Sequence, residues 1–380
     1  MKTAIIGAGA AGLCAAVKAA QLGQSVTLFE RMDRVGKKLL ATGNGRCNLM
    51  NTGPLCYPDG QVFAEKAFEV VSPKALWAFF ESLGLNMREE AEGRVYPATG
   101  QAATVLNVLL EAMHRLEIAP LCGVKVERIL PHEGGYIING EWFHRVIIAT
   151  GGRAQEKLGS DGSGLALLKA LGHSVTPFSP SLTAMETDSA LIKGLSGIRV
   201  KADIRLNNVQ RSGEILFTDY GISGVCVMQL SAYYEKSATV SIDFRKAMNI
   251  QGETYSFLLA RRAQLGATNV NRFLTGLFAT PLCGLLLKRA ETTDLRDEAL
   301  LRLARLIENF ELPVLKLKGF EQAQLSKGGA ALHQFNPATM ESNLFKGLYA
   351  VGELLDVAGD CGGFNLMFAF SSGIIAAQSA

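Results

Sequence analysis

Residues 3–30, TAIIGAGAAGLCAAVKAAQLGQSVTLFE, decide the fold. Thr3 to Gly7 is a short apolar run, Gly7-Ala8-Gly9-Ala10-Ala11-Gly12 follows at once, and an alanine-rich helical stretch continues to Leu22. A second apolar run from Ser25 to Phe29 ends on Glu30, eighteen positions beyond Gly12. Strand, tight turn, helix, strand and acid in this order and spacing form a dinucleotide fingerprint. Gly7 permits the turn, Gly9 keeps side-chain bulk away from a pyrophosphate, and Gly12 lets the helix pack closely on the strand. The helix N-terminus, through Ala10 and Ala11, offers free N–H groups and partial positive charge to phosphates. Glu30 is placed to accept ribose hydroxyls and to repel a 2′-phosphate, which suits FAD or NAD better than NADP.

The next stretch separates FAD from NAD. Residues 34–48, RVGKKLLATGNGRCN, hold four cations, three glycines and two asparagines, with polar groups spaced for neither an amphipathic helix nor a strand. Such a segment suits backbone lying along a long polar ligand. Lys37, Lys38 and Arg46 are expected near phosphate or flavin oxygens, and Asn44 and Asn48 at ribityl or ring edges.

This stretch, Ala149-Thr150-Gly151-Gly152, and residues 347–365, GLYAVGELLDVAGDCGGFN, together resemble the bacterial FAD-binding oxidoreductases of the aminoacetone oxidase and BaiN-like (YhiN-type) family. The resemblance covers almost the whole chain. It implies an α/β fold: a Rossmann-type, glutathione-reductase-like FAD domain with a β-meander, interrupted by an insert made of a small antiparallel β subdomain and a helical subdomain. It also extends the FAD-contacting set to Arg31, Thr42, Gly45, Cys47, Lys125 and Val126, Ala149 to Gly152, Gly352 and Glu353 at the ribityl chain, and Asp356. Gly362, Gly363, Phe364 and Asn365 then open a helix whose N-terminus would face the pyrimidine end of the flavin and stabilise its reduced, negatively charged form.

The rest of the chain divides accordingly. The discontinuous FAD domain is read as 1–177 and 331–380, the β-rich insert as 178–248 and the helical insert as 249–330. Within the first, Asp59 to Met87 has helical periodicity with a Ser72-Pro73 start and Gly84 as a stop. Gly93 to Pro97 is extended, and Gln101 to Leu116 is an amphipathic helix. Pro120 to Thr150 shows period two and a Gly134-Gly135 turn, a meander whose first strand surrounds Lys125 and Val126. Residues 159–164, GSDGSG, make a helix cap near the FAD site, not a second nucleotide fold. Any NADH or NADPH therefore binds transiently at the flavin or is not used. Thr176 to Pro180 reads as a linker. Strands are expected at 198–206, 214–218 and 239–244, helices at 254–265, 270–278, 281–290 and 297–310, and a final helix at 366–377.

Composition excludes other classes. The chain has 380 residues, 48% of them hydrophobic, enough for two or three domains, and a formal charge of only +3 with scattered basic residues. That argues against a nucleic-acid surface as the main function. No apolar run reaches the roughly eighteen residues of a membrane span. The start resembles a signal peptide, but the glycine pattern, the second strand and Lys18 explain it better, so a cytoplasmic protein is expected. Seven cysteines, an odd number without a CxxC pair, fit reduced thiols. The five histidines are scattered, and no metal set is expected.

The chemistry belongs to the flavin, and the chain supplies orientation and electrostatics. Arg94, Tyr96, Asp219 and Tyr220 are the candidate acid–base groups at the junction of domains, Arg94 and Tyr96 being equally explicable as a solvated and a packing residue. In residues 217–224, FTDYGISG, many members of the resembled family have His where Asp219 stands and Pro where Val225 stands. A small or hydrophobic substrate is expected in the cleft between FAD domain and insert. The resemblance implies either NAD(P)H-dependent reduction of an activated C=C bond, which is favoured, or oxygen-dependent amine oxidation. An RNA-modifying flavoprotein would need a basic, aromatic-lined surface, and a non-catalytic sensor would have no use for residues 34–48.

Overall fold

The computed structural model describes residues 1–250, 252–266 and 269–380. They form two compact units, Met1–Pro180 with Ala323–Ala380, and Ser181–Gln322.

The first unit is built on a five-stranded parallel sheet in the order Leu348–Ala350, Arg145–Ile148, Lys2–Ile6, Ser25–Glu30, Leu121–Cys122. Lys2–Ile6 is central, and Ala4 and Ile5 are fully buried. Helices cover a parallel sheet on both faces, which is why this strand is apolar without alternation. The register pairs Ile6 with Phe29 and with Ile148, so three strands deliver their C-terminal ends to one place. Ligands of open α/β sheets bind at that edge. Helix Ala10–Gln21 packs against the last helix, Phe364–Ser379.

The meander is present as Leu130–His132, Gly135–Ile138 and Glu141–Phe143. Its expected first strand is not: the strand before it ends at Cys122, and Lys125 and Val126 lie in irregular chain anchored by Val124 N–H to the Glu30 carbonyl at 2.9 Å. The stretch read as a linker is also ordered, as strand Val175–Ser181 paired with Leu325–Ala330. Met50–Asn51, Arg94–Pro97 and Met87–Glu89 form a three-stranded sheet whose middle strand carries Tyr96, on which Arg46 stacks. Ser72 caps helix Pro73–Ser82 as its sequence requires, accepting from Ala75 N–H at 3.2 Å.

The second unit is a closed six-stranded antiparallel barrel carrying helices. Around the barrel run Met185–Thr187, Gly221–Ser223, Val209–Phe217, Arg199–Leu206, Thr239–Asp243 and Phe310–Leu317. Val200, Ala202, Ile204 and Leu206 point inward, while Arg199, Lys201 and Arg205 face out. The strand Phe310–Leu317 falls inside the stretch read as helical, and it closes the barrel by burying Phe310, Leu312 and Val314 at a spacing of two. Helices Thr254–Leu265, Thr280–Arg289 and Asp297–Glu308 form where expected. The expected helix over 270–278 does not. Only a single turn, Val270–Arg272, is helical there, because the Arg261 guanidinium donates to the carbonyls of Phe273 (2.7 Å) and Thr275 (2.6 Å) and Gly276 turns the chain left-handed. Among the described residues no helix is long and apolar enough to cross a membrane, and no group of three or more His, Cys, Asp or Glu could hold a metal ion.

Candidate FAD site

A long pocket opens in the first unit at the C-terminal ends of the parallel strands. The three fingerprint glycines have different reasons to be there. A β-carbon on Gly7, whose φ is +100°, would stand 2.6 Å from the Ala149 carbonyl oxygen, and one on Gly12 would stand 1.8 Å from the Gly7 carbonyl oxygen. Both are required by the packing of strand, turn and helix. Gly9 has an ordinary φ of −85°, and among the described residues nothing beyond its own stretch of backbone lies within 4 Å of where its β-carbon would be. Nothing in the fold asks for glycine at position 9, but a pyrophosphate seated on the helix N-terminus does.

Glu30 is almost buried. One carboxylate oxygen accepts from Ala8 N–H at 2.9 Å and the other from Met32 N–H at 2.8 Å. These bonds fix the carboxylate at the strand tip and leave each oxygen a second lone pair for a hydroxyl. Beside it, Arg31 closes the glycine-rich turn onto the pocket: its Nε donates to the Gly159 carbonyl at 3.2 Å, and Nη1 lies 3.1 Å from Asp161. Burial opposes the Asp161 charge, but hydrogen bonds from Ser163 and the nearby Arg31 outweigh it and hold the carboxyl below its usual range. Gly159, Ser160, Asp161 and Ser163 all line the pocket, as do Lys125 and Val126.

Residues 34–48 divide. Lys37, Lys38 and Thr42 line the pocket; Lys37 is paired with Asp33 (2.9 Å) and Lys38 with Glu353 (2.7 Å). Asn44, Gly45, Arg46, Cys47 and Asn48 do not line it. Arg46 stacks on Tyr96, 4.1 Å from the ring centre, and pairs with Glu90 at 2.6 Å. Cys47 is fully buried, and burial pushes its thiol up to about 12, so it is no thiolate. Asn48 Oδ1 is buried without a hydrogen-bond partner among the described residues.

From the other chain segments, Ala149, Thr150, Gly151, Gly352, Glu353 and Asn365 line the pocket. Thr150 Oγ1 is buried and has no hydrogen-bond partner among the described residues. Gly152 lies behind the lining, against Glu353, where a β-carbon would come within 2.5 Å of the carboxylate. That carboxylate also accepts from Ser326 N–H at 2.8 Å, so Glu353 ties residues 34–48 to two other segments. Asp356 faces away, accepting from Gly328 N–H at 3.1 Å, and burial raises its pKa. Gly362, Gly363 and Phe364 stand outside the lining, and Asn365 staples their loop through the Gly359 N–H and carbonyl, both at 2.8 Å. Of the four acid–base candidates, Arg94 pairs with Glu92 and Tyr96 lies under Arg46, neither in the lining. In the second unit Asp219 is exposed in a turn and Tyr220 has Lys318 Nζ 4.3 Å from its ring centre.

The sequence reading missed the apolar part of the lining: Met32, Leu325, Val351, Val357, Leu366 and Phe368. In a sequence they are indistinguishable from core. The open space at Gly9, the helix N-terminus, Glu30 and the unpartnered Thr150 hydroxyl fit a long dinucleotide, with apolar side chains left over for a flat ring.

A family model described as "HI0933-like protein Rossmann domain" matches residues 1–379. The 3-dehydro-bile acid delta(4,6)-reductase of Clostridium scindens is 35% identical over 402 residues, spanning 99% of this chain and 98% of that protein. The ribosomal RNA dihydrouridine synthase of Haemophilus influenzae is 30% identical over 399 residues, spanning 99% and 97%. Among solved structures, the 3-ketosteroid delta1-dehydrogenase of Sterolibacterium denitrificans matches with a TM-score of 0.53 at 12% identity, covering 99% of this chain and 98% of that one. This last likeness is one of fold. Pocket, fingerprint and full-length similarity agree, and the chain belongs to the HI0933-like Rossmann family of YhiN- and BaiN-like FAD-dependent oxidoreductases.

Proposed function

We propose that this enzyme reduces a C=C bond conjugated to a carbonyl in a small, hydrophobic molecule, with NADH or NADPH as the transient electron source. The observation that carries the reading is 35% identity, along 99% of the chain, to a reductase named for the delta(4,6) double bonds of a 3-dehydro bile acid. Bound FAD supplies hydride chemistry. The chain's own part is to hold and polarise: Gly9 and the first helix N-terminus receive the pyrophosphate, Glu30 the ribose, Lys125 and Val126 border the adenine end, and Lys38, Glu353 and Asn365 border the ribityl and ring end. Ala149, Thr150 and Gly151 form the floor. Only one dinucleotide fingerprint occurs in the sequence, which supports transient rather than resident nicotinamide.

Uridine also contains a C=C bond conjugated to a carbonyl, the bond that is saturated in dihydrouridine. The 30% identical ribosomal RNA dihydrouridine synthase therefore makes RNA a second reading of the same chemistry. The balanced charge of the chain favours the small molecule.

Anaerobic mixing of the yellow protein with NADH and, separately, NADPH tests the electron source. Bleaching of the oxidised flavin band by one nucleotide is expected. No bleaching by either, with bleaching by amines and oxygen uptake on re-aeration, would replace the reductase by an amine oxidase.

A further inference from the structure

Two stretches of chain meet the tip of strand Ser25–Glu30, and they are fastened there by different means. Residues 123–126 follow strand Leu121–Cys122, the sheet neighbour on one side, and are held by main-chain bonds: Gly123 N–H donates to the Met32 carbonyl at 2.8 Å and Val124 N–H to that of Glu30 at 2.9 Å. Residues 155–161 come from the other side, after strand Arg145–Ile148, and are held by a side chain. Arg31 Nε donates to the Gly159 carbonyl at 3.2 Å, Nη2 reaches the Glu156 carbonyl at 3.5 Å, and Nη1 pairs with Asp161 at 3.1 Å. Both stretches line the pocket.

The second stretch is made to swing as a piece. Glu156–Leu158 is a single helical turn, closed by Leu158 N–H to the Gln155 carbonyl at 2.8 Å and Gly159 N–H to that of Glu156 at 3.0 Å. Gly159 and Gly162, at φ +111° and +80°, follow it, and glycine changes backbone region at little cost, so both can pivot while the turn keeps its own bonds. Asp161 lies between these pivots. Its second oxygen accepts from Ser163 N–H at 3.0 Å, at the start of helix Ser163–Ala170. With the Arg31 and Asp161 side chains 28% and 19% exposed, their pair is worth more than one on the surface. Freeing residues 123–126 would take apart main chain continuous with the sheet. Freeing residues 155–161 from strand Ser25–Glu30 requires one guanidinium to let go.

We infer that residues 155–161 form a strap over the adenosine half of FAD, clasped by Arg31, and that FAD enters and leaves when the clasp opens. Asp161 is a positioning residue here, acting on the cofactor through Arg31. The partners of the clasp all belong to the chain, so opening precedes entry as well as exit, and loosening it speeds both. The inference rests on the proposed seating of the adenosine beside Glu30.

The test measures both rates. Release is followed by flavin fluorescence after high dilution of the FAD-loaded protein, and uptake by mixing the stripped protein with FAD. Asp161→Asn removes the charge and keeps an oxygen for Ser163 N–H. It should release FAD about tenfold faster, the loss of one charge-assisted contact, and take it up faster by a similar factor, so that the dissociation constant moves much less than either rate. Arg31→Met should also speed release, and the double variant should release no faster than Arg31→Met, because a clasp already broken cannot be broken again. Faster release with unchanged uptake would make Asp161 a static contact of the cofactor and overturn the inference. Unchanged release, or additive effects of the two substitutions, would overturn it as well. Hydrogen exchange over residues 155–163 should quicken in Asp161→Asn while the amides of the parallel sheet stay as they were; a rise spread over the whole first unit would place the effect in the fold and count against the strap. Failure of the FAD reading itself looks different: the unaltered protein would show no yellow band and take up no flavin, and hydrogen exchange would then judge the clasp alone.

Discussion

Substituting alanine at the fingerprint glycines separates what the fold needs from what the cofactor needs. At Gly12 the new methyl would sit 1.8 Å from the Gly7 carbonyl oxygen, a backbone atom that cannot swing away. Helix and strand must part, and overpacking of this kind costs about 1–3 kcal/mol or more. At Gly9 the methyl meets nothing within 4 Å, and φ of −85° with ψ of −164° suits alanine. Two small effects oppose each other there. Alanine restricts the unfolded chain, worth about 0.4–1 kcal/mol in favour, and it is a poorer N-cap than glycine by about as much. The apoprotein of Gly9→Ala should thus melt close to the unaltered apoprotein, and that of Gly12→Ala well below it. With FAD the order is expected to change, because on the proposed reading the Gly9 methyl would intrude on the space of the pyrophosphate. A steric penalty of about 1–3 kcal/mol weakens FAD roughly tenfold to hundredfold. The assay is fluorescence titration of apoprotein with FAD beside thermal unfolding without it. Unchanged FAD affinity in Gly9→Ala, or an apoprotein as unstable as Gly12→Ala, would refute the assignment of that open space to the cofactor.

The Lys38–Glu353 pair, 2.7 Å long with each side chain about four-fifths buried, should show coupling: in a double-mutant cycle of Lys38→Met and Glu353→Gln on FAD affinity, a coupling of about 1 kcal/mol is expected, and strict additivity would exclude the tie. Thiol titration of the native protein with a disulfide reagent near pH 8 should show one group reacting ahead of the rest, removed by Cys122→Ser: Cys122 is the exposed cysteine, although partial burial and the nearby Glu30 and Asp33 raise its thiol, whereas Cys47 is buried with its thiol pushed up to about 12. Rapid labelling of Cys47 would mean that the loop around it opens. His173 is buried against Phe335, with Nε2 2.7 Å from Ser342 Oγ, and burial lowers its pKa below the usual histidine value. Its folded state thus binds the proton less well than its unfolded state, so its contribution is complete above pH about 6.5 and is lost as pH falls below that value. His173→Gln should flatten the acid limb of the melting-temperature profile; an unchanged limb would assign the dependence to other groups.

The Rossmann core was readable because its signals are local. Residues 3–30 carry strand, turn, helix and acid in one run, and Ser72-Pro73 marks a helix start without help from the rest of the chain. The strand Phe310–Leu317 was missed although Phe310, Leu312 and Val314 alternate, because an amphipathic helix runs directly into it and Pro313 interrupts the pattern. The failed helix at 270–278 depended on Arg261, a residue distant in sequence that captures two carbonyls. Within the site, glycines, Glu30 and Lys38 announced themselves as polar or permissive residues in unusual company. The apolar lining, such as Leu325 and Phe368, did not; residues 159–164 were legible as a helix cap near the site, but the pairing of Asp161 with Arg31 depends on tertiary structure. Residues 44–48 lie outside the lining, a distinction that composition does not make: the same arginine serves a ligand or, as Arg46 does, a tyrosine and a glutamate.

The expectation is that this FAD enzyme gives hydride to a double bond conjugated with a carbonyl in a small, hydrophobic molecule and not in RNA. Its most direct test is to reduce the purified protein photochemically without oxygen and add a 3-oxo-4-ene steroid acid in small excess, recording the flavin band and the product mass. Return of the oxidised band within the turnover time, with a product two mass units heavier than the substrate, is the expected result. A flavin that stays reduced in the presence of the enone, yet is reoxidised at once by oxygen or by a uridine-containing RNA, would contradict it.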